Sequence, residues 1–458
     1  MMVKKIEKEE VKMNFPSVDY SWFGNGTVIA LIAIIHVIIS HGIAIGTSVL
    51  TVSLEYRAYK TKNAKLDELA KTIAKWVLII TTTAGAMTGV GIWFSTTVIQ
   101  PDSIAALLRI FFWAWVTEWV VFITEVVILI IYYYTWDSWK SPEKKRKHIN
   151  LGIALGVASW LTMAIITGVL AAKLTPGKWI ETFSFWNAFF NPTYLPSLGF
   201  RMFLAIILAI IIVAFYIRIF VKDTSIREEA YKVFAFWGAI SLPMTFILGL
   251  WYLWAIPEQA YDMIVWSTGM SENMFKIMNG LAFLILIVFL VWLIKRPKTM
   301  PIILSLVVYA SAIGFIGEFE VVRESIRKPF IIYDYMYANG LLEQDREKIN
   351  EEGFLAHATW AKEKEVTEDN RVEAGRDIFV GQCLTCHTID GWRDSRALGK
   401  RLAGWDEETL KNYIPTMHNV RVAMPPFMGT EEELDALVTY LKSEIDQVNT
   451  EKEVSKNE

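Results

Sequence analysis

Eight long apolar stretches alternate with short polar loops over the first 330 residues. They lie near 26–54, 76–100, 104–134, 150–173, 194–217, 232–256, 274–294 and 300–322. Each is long enough to cross a bilayer, which takes about 20 apolar residues. The pattern predicts eight membrane helices, here spans 1 to 8. Residues 178–190 (KWIETFSFWNAFF) are aromatic and amphipathic, and are expected to lie in the membrane interface. After residue 330 the pattern changes. Residues 331–370 are polar and read as a linker, 371–446 as a small helical domain, and 447–458 as a disordered tail. The expected fold is all-α: an N-terminal segment (1–25), a polytopic membrane bundle (26–330), and a C-terminal domain outside the membrane.

Charge orients this arrangement. Lys and Arg number six in 55–75, five in 135–149, four in 217–232 and three in 295–298. The alternate loops are nearly bare: none in 99–105, two in 173–193 and none in 256–274. Basic loops stay in the cytoplasm, so the first set is expected inside. Both ends of an eight-span bundle then face outward, and the C-terminal domain lies on the periplasmic or outer side of the cell membrane. The first 20 residues mix lysine and glutamate without an apolar core, so span 1 is expected to direct insertion.

Composition supports the division. The chain is 53% hydrophobic and holds 19 tryptophans, too apolar for a soluble protein of 458 residues. Residues 1–330 carry 30 Lys+Arg against 22 Asp+Glu, and residues 331–458 carry 15 against 26. A mildly basic membrane body thus bears an acidic tail domain. Membrane lipid is an expected partner, and nucleic acid is not.

The two cysteines of the chain lie in Cys383-Leu384-Thr385-Cys386-His387. C-x-x-C-H is a covalent haem-attachment pattern: two thiols form thioethers and the adjacent imidazole reaches the iron. A disulfide is the alternative use of this pair. The run from Gly375 to His387 carries Phe379 on a helix leading into the attachment site. Met424-Pro425-Pro426-Phe427 follows downstream, and then Thr430 and Glu433 with capping-box spacing. This segment resembles a class I cytochrome c. The resemblance implies one covalent haem c with His387 and Met424 as axial ligands. Met417, His418 and Met428 are rival sixth ligands. A thioether opposite histidine raises the haem potential.

The spans hold few ionisable groups: His36, His41, Arg109, Glu118, Glu125, Arg201, Lys276, Glu318 and Glu320. Charge in lipid is costly, so such groups are usually paired or functional. Glu118 and Glu125 are seven apart, two turns along one helix face. His36 and His41 are five apart, a rotation of about 140° on a straight α-helix, and are not expected to serve one pocket.

Four segments of the body resemble subunit I of cytochrome bd-type oxidases. They are Ile35-His36 through Gly46 and Glu55, Thr117-Glu118-Trp119 through Glu125, Phe275-Lys276-Ile277-Met278, and Gly317-Glu318 through Glu324, Arg327 and Pro329. The resemblance implies His36, Glu118 and Glu318 as haem ligands of an oxygen-reducing site. It implies Glu125 as a proton carrier and Met278 as a ligand of a low-spin haem b. Arg201, Lys276, Arg323 and Arg327 are implied beside propionates. The implied membrane cofactors are haem b, with haem d a further option, and a second membrane subunit is implied as partner. The chain departs from the family in span 5, where Ser197-Leu-Gly-Phe-Arg201-Met202 has no histidine. Only about 20 residues join spans 6 and 7, so the family's long quinol-oxidising loop is missing, as is a ninth helix.

The expected activity is respiratory electron transfer, an oxidoreductase reaction. Haem c takes electrons from a soluble cytochrome or a respiratory complex and passes them to membrane haems that reduce oxygen. One alternative is a non-catalytic anchor and relay within a larger respiratory complex. Another is quinol oxidation with electron exit through haem c.

Overall fold

The computed structural model describes residues 15–268 and 272–457. Residues 1–14, most of the expected N-terminal segment, lie outside the described residues, as do 269–271 and 458. Among the described residues, eight helices are long and apolar enough to cross a membrane: Asn25–Thr61, Ala64–Ile99, Pro101–Thr135, Pro142–Ala172, Tyr194–Phe220, Thr224–Ala255, Glu272–Lys295 and Ile302–Ser325. These are spans 1 to 8, at the predicted places. Most run beyond the apolar stretch at one end, because polar turns flanking a span continue the helix into water.

Span 1 is not a uniform α-helix. It winds as a π-helix over Ile38–Gly46, and span 2 does so over Thr81–Gly85. Such turns often mark functional positions. Hydroxyls return to the helix backbone here: Thr47 Oγ1 donates to the Gly42 carbonyl at 2.8 Å, and Ser48 Oγ to that of Ala44 at 2.6 Å. Gly46 lets span 1 touch span 5, since a Cβ there would sit 2.1 Å from the Ala205 carbonyl oxygen. Span 3 bends at Phe111, whose φ of −115° and ψ of 23° leave the helical region. The aromatic segment expected at the interface forms two short helices, Trp179–Thr182 and Phe185–Phe189. Trp179 and Phe189 pack into the bundle, whereas Trp186 and Phe190 stay exposed.

The segment 331–370, expected to be a linker, is packed structure. Two short antiparallel strands, Phe330–Ile332 and Met336–Tyr337, pair as a hairpin. Ile331, Ile332 and Met336 bury against Leu107, Phe111 and Tyr194 at one end of the bundle. Tyr337, Leu341, Ile349, Phe354 and Leu355 bury against Phe379, Leu437 and Tyr440 of the C-terminal domain. Apolar residues spaced among charges give a polar mean composition, yet most of them are buried. The segment therefore packs into the core of the body at one end and into that of the domain at the other.

The C-terminal domain crosses the helix Arg371–Gln382 with the long helix Glu431–Asn457. Gly375 sits at the crossing, where a Cβ would meet the Ala436 carbonyl oxygen at 2.0 Å. The capping box forms in both directions: Glu433 N donates to Thr430 Oγ1 at 3.3 Å, and Thr430 N to Glu433 Oε2 at 3.1 Å. The same carboxylate accepts from the Phe354 and Leu355 amides at 2.7 and 2.8 Å. The last helix continues through 447–457, expected to be disordered. No glycine or proline interrupts it after Gly429, and Val448 packs beside Gly399.

The domain sits on the end of the bundle where span 1 begins and span 8 finishes. Asn25 Nδ2 donates to the Leu384 carbonyl at 3.3 Å, and Trp392 Nε1 to that of Phe23 at 3.1 Å. This end is called outer below, and the opposite end inner. We expect Gly375→Val to lower the stability of the C-terminal domain by about 3 kcal/mol through overpacking. A fall in its thermal unfolding midpoint, followed on the full chain by near-ultraviolet circular dichroism, checks this.

Candidate functional site

The attachment motif extends the helix Arg371–Gln382 by one turn. Cys383 N donates to the Phe379 carbonyl at 2.8 Å, Cys386 N to that of Cys383 at 3.1 Å, and His387 N to the same oxygen at 2.9 Å. Spacings of three and four residues in a helical turn put both thiols and the ring on one side. His387 Nδ1 donates to the Arg396 carbonyl at 3.2 Å, which leaves Nε2 as the nitrogen available to iron. Burial, and next the charge of Arg396, push the His387 pKa down to about 4. A neutral ring is what a metal needs. Burial, then Cys386, push the Cys383 thiol up to about 12. The residues present therefore fit a covalently held haem.

The rival sixth ligands are differently engaged. Met428 is fully buried in the domain core, and its backbone is tied to Gln382 by bonds of 2.6 and 3.1 Å. Met417 packs against the same core. His418 Nδ1 spends its hydrogen on the Met424 carbonyl at 2.6 Å, and so braces the Met424 loop. Met424 is partly exposed.

Below the domain, spans 5 to 8 enclose a cleft of about 610 Å³ in the outer half of the bundle. Its walls are mainly apolar. Its polar side chains include Arg201, Tyr252, Lys276, Asn279, Glu318 and Arg323. Each of Arg201, Asn279 and Glu318 lies seven residues from the outer end of its span, roughly 10.5 Å deep at 1.5 Å per residue. Asn279 Nδ2 donates to Glu318 Oε1 at 3.1 Å. Arg201 Nε donates to Ser197 Oγ at 3.2 Å, and Arg323 pairs with Glu320. Lys276 pairs with Glu272. The size lies within the range of small-molecule and cofactor sites. Apolar walls, a carboxylate and a cationic outer rim fit a haem with its propionates outward.

The cleft and the attachment motif meet at the end of span 8. Arg323 and Ile326 line the cleft, and Lys328 follows two residues later. Lys328 Nζ lies 3.5 Å from Cys386 Sγ and 3.1 Å from a Glu324 carboxylate oxygen. Burial opposes the Lys328 charge, but Cys386 while its thiol is free, and Glu324, outweigh it and raise its pKa. Arg327 beside it is buried, which with Arg323 brings its pKa down to about 10.

The remaining residues singled out in the sequence are dispersed. Met278 is 41% exposed and does not line the cleft. One residue turns a helix by about 100°, so Asn279 holds the inward place instead. His36 Nδ1 meets Thr88 Oγ1 of span 2 at 3.0 Å, and its ring lies against Gly89. Glu318 faces span 7, so the structure does not join His36 and Glu318 in one lined pocket. Glu125 accepts from Ser159 Oγ at 2.6 Å and from Thr162 Oγ1 at 3.2 Å, both on span 4. Glu118 is half-buried and makes no side-chain hydrogen bond among the described residues. His41 is 8% exposed, with Nδ1 at 3.0 Å from Ser40 Oγ and Nε2 buried without a hydrogen bond. It lies inside the π-helical turn, where a rotation read from a straight α-helix does not hold. Asn279, Tyr252 and Lys328 were not picked out. The first two are neutral polar residues on apolar spans, and Lys328 lies between Arg327 and Pro329 just beyond the last span.

A membrane helix bundle carrying a cytochrome c domain defines a respiratory electron-transfer protein. Residues 27–255, half of the chain, match the family model for cytochrome bd terminal oxidase subunit I, and the chain belongs to that family. Residues 370–441 match the model for cytochrome C oxidase, cbb3-type, subunit III. The two models imply haem c in the C-terminal domain and haems in the membrane. The fold is similar to the solved structure of bd oxidase from Geobacillus thermodenitrificans, with a TM-score of 0.54 and 14% identity. That match covers 68% of this chain and 89% of the other. No curated protein matches the chain.

The two methionines separate by experiment. Met424→Ala should remove the methionine–iron absorption band of the oxidised protein with little change in stability. Met428→Ala should keep the band and cost about 2–5 kcal/mol, the range for a buried methionine truncated to alanine. Absorption spectra and thermal melts of the two full-length variants check both outcomes.

Proposed function

We propose that this chain accepts electrons from an external donor at haem c and delivers them to haem in the outer cleft, where oxygen is reduced to water. The observation that carries this is the 3.5 Å approach of Cys386 Sγ to Lys328 Nζ, on the segment whose Arg323 and Ile326 line the cleft. Electron entry and cleft are thus adjacent through covalent chain. Bound haem supplies one-electron chemistry and an oxygen-binding iron. Cys383 and Cys386 would hold haem c through thioethers, His387 would offer Nε2 to its iron, and Met424 would offer its thioether sulfur. In the cleft, Glu318 offers a carboxylate oxygen while Asn279 orients it. Arg201, Arg323 and Lys276 neutralise propionates, and Arg327 backs them from the rim. Glu125, held by Ser159 and Thr162, carries protons outward along span 3 toward Glu118. His36 and Met278 are proposed ligands of further membrane haem, of type b or d.

The acidic balance of residues 331–458 favours a basic electron donor docking from the outer side, taken as periplasmic, with a rate that falls as salt rises. A second membrane subunit belongs to the same proposal. Isolation of a complex with a second polypeptide, heavier than 52.4 kDa of protein, checks it.

Span 5 favours one other reading. It presents Ser197 and Arg201 where the family has a histidine, and Met278 lies off the cleft. On that reading the bundle is an anchor and relay that passes electrons on without oxygen chemistry.

The deciding experiment is a pyridine haemochrome assay with a carbon monoxide difference spectrum of the reduced protein. One haem c plus one or two non-covalent haems, one of them shifted by carbon monoxide, is expected. Oxygen uptake with reduced cytochrome c as the sole donor should follow. Haem c without a carbon monoxide-reactive partner removes the oxidase reading and leaves the relay. Glu318→Ala should abolish the carbon monoxide shift while haem c stays attached.

A further inference from the structure

At the inner end of the bundle four spans bring together a buried polar cluster that none of the electron-transfer chemistry uses. Glu55 lies near the end of span 1, Asp67 at the start of span 2, Tyr132 near the end of span 3, and Lys145 and His148 at the start of span 4. Glu55 and His148 are fully buried. Tyr132 OH donates to Glu55 Oε2 at 2.6 Å. Lys145 Nζ lies 2.8 Å from Glu55 Oε1 and 2.7 Å from Asp67 Oδ1. Trp136 Nε1 donates to Asp67 Oδ2 at 3.0 Å, and the Lys145 ammonium lies 4.4 Å from the Trp136 ring centroid.

The hydrogen bonds of His148 count a proton. Nε2 faces the Tyr132 carbonyl at 2.8 Å, and a carbonyl only accepts, so Nε2 carries a hydrogen. Nδ1 faces Glu55 Oε1 at 2.6 Å. A bare ring nitrogen against a carboxylate would set two acceptors at bonding distance in a dry site. One further proton therefore lies between them, on the ring or on the carboxyl. Charge leads to the same count. With that proton, the carboxylates of Glu55 and Asp67 are matched by Lys145 and the shared proton. Without it the cluster buries an unmatched negative charge, which is costly.

The pair also lies in line with Glu125. Tyr132 follows Glu125 by seven residues on the same face of span 3, roughly 10.5 Å away. Ser159 and Thr162, which donate to Glu125, share span 4 with His148. We propose that Glu55 and His148 hold one proton at the inner end of the bundle and supply it to Glu125. This supply role rests on the oxygen-reducing reading above. For each electron that the external donor passes through haem c to oxygen, one proton leaves the pair for Glu125. The pair refills from the inner aqueous phase past Asp67, which is partly exposed.

The test has two arms on the full-length protein in lipid vesicles. Infrared spectra with isotope-labelled histidine should show in wild type a band of the shared proton that is absent from His148→Gln and Glu55→Gln. A spectrum unchanged by both substitutions overturns the proton-holding pair. Should His148→Gln fail to insert, Tyr132→Phe removes one donor from Glu55 and should shift the carboxyl band; an unshifted band counts against the cluster. In the second arm, oxygen uptake by His148→Gln and Glu55→Gln should fall roughly tenfold or more, with haem content and carbon monoxide spectrum unchanged. Uptake at the wild-type rate in both overturns the supply role. If wild type takes up no oxygen, the oxidase reading fails and the supply role with it, while the infrared arm still decides where the proton resides.

Discussion

A lysine that cannot reach water ties the halves of this protein together. Lys328 is buried where span 8 ends, and a buried ammonium must be paired. Its ionic partner is Glu324, one turn back on the bundle, and its ammonium lies 3.5 Å from Cys386 Sγ of the haem-attachment turn. The C-terminal domain is therefore seated with its thioether side down on the bundle. The hairpin 330–337 adds an apolar seal, with Ile331 and Ile332 against span 3 and Tyr337 against the domain core. Apolar burial holds the domain on the end of the bundle that Lys328 and Glu324 mark.

The outer end gathers cations and the inner end a closed polar cluster, and each follows from what lipid permits. Arg201, Arg323, Arg327 and Lys328 crowd one end of the bundle, with Glu320 and Glu324 offsetting part of their charge. Cations in excess over carboxylates, beside a large apolar cleft, suit an anionic apolar ligand. At the inner end, Glu55, Asp67, Lys145 and His148 satisfy one another without a ligand. The same cost of charge in lipid gives a binding site where the balance is incomplete and a self-contained network where it is complete.

What the sequence made legible follows the same division. The spans were readable because twenty apolar residues in a row have few other uses, and the attachment turn because two cysteines three apart beside a histidine have few others. The packing of 331–370 was hidden: its apolar residues are scattered, and which surfaces receive Ile349 or Phe354 depends on contacts with residues up to 79 positions away, such as Glu433. Met278 illustrates a second limit. A hydropathy pattern places a span but does not fix its rotation, and one residue of rotation put Asn279 into the cleft in its stead. His41 illustrates a third, since the π-helical turn that carries it changes which face each later residue of the turn presents. Glu55 and His148 were unreadable as a pair because 93 residues separate them.

The two ends together define a direction. Haem c attachment lies above the outer end, the cleft lies within the outer half, and the protonatable line from His148 through Glu125 opens toward the inner end. If electrons enter from one side and protons from the other, they meet inside the bundle, and charge crosses the membrane with each turnover even though no group need be pumped. Leu129, buried between Glu125 and Tyr132, marks the step of about 10.5 Å that a proton supplied by the inner pair crosses to reach Glu125. The apolar stretches of spans 3 and 4 thus confine the few charged residues to separate levels of the bundle, and the positions of those residues decide what each side of the membrane contributes.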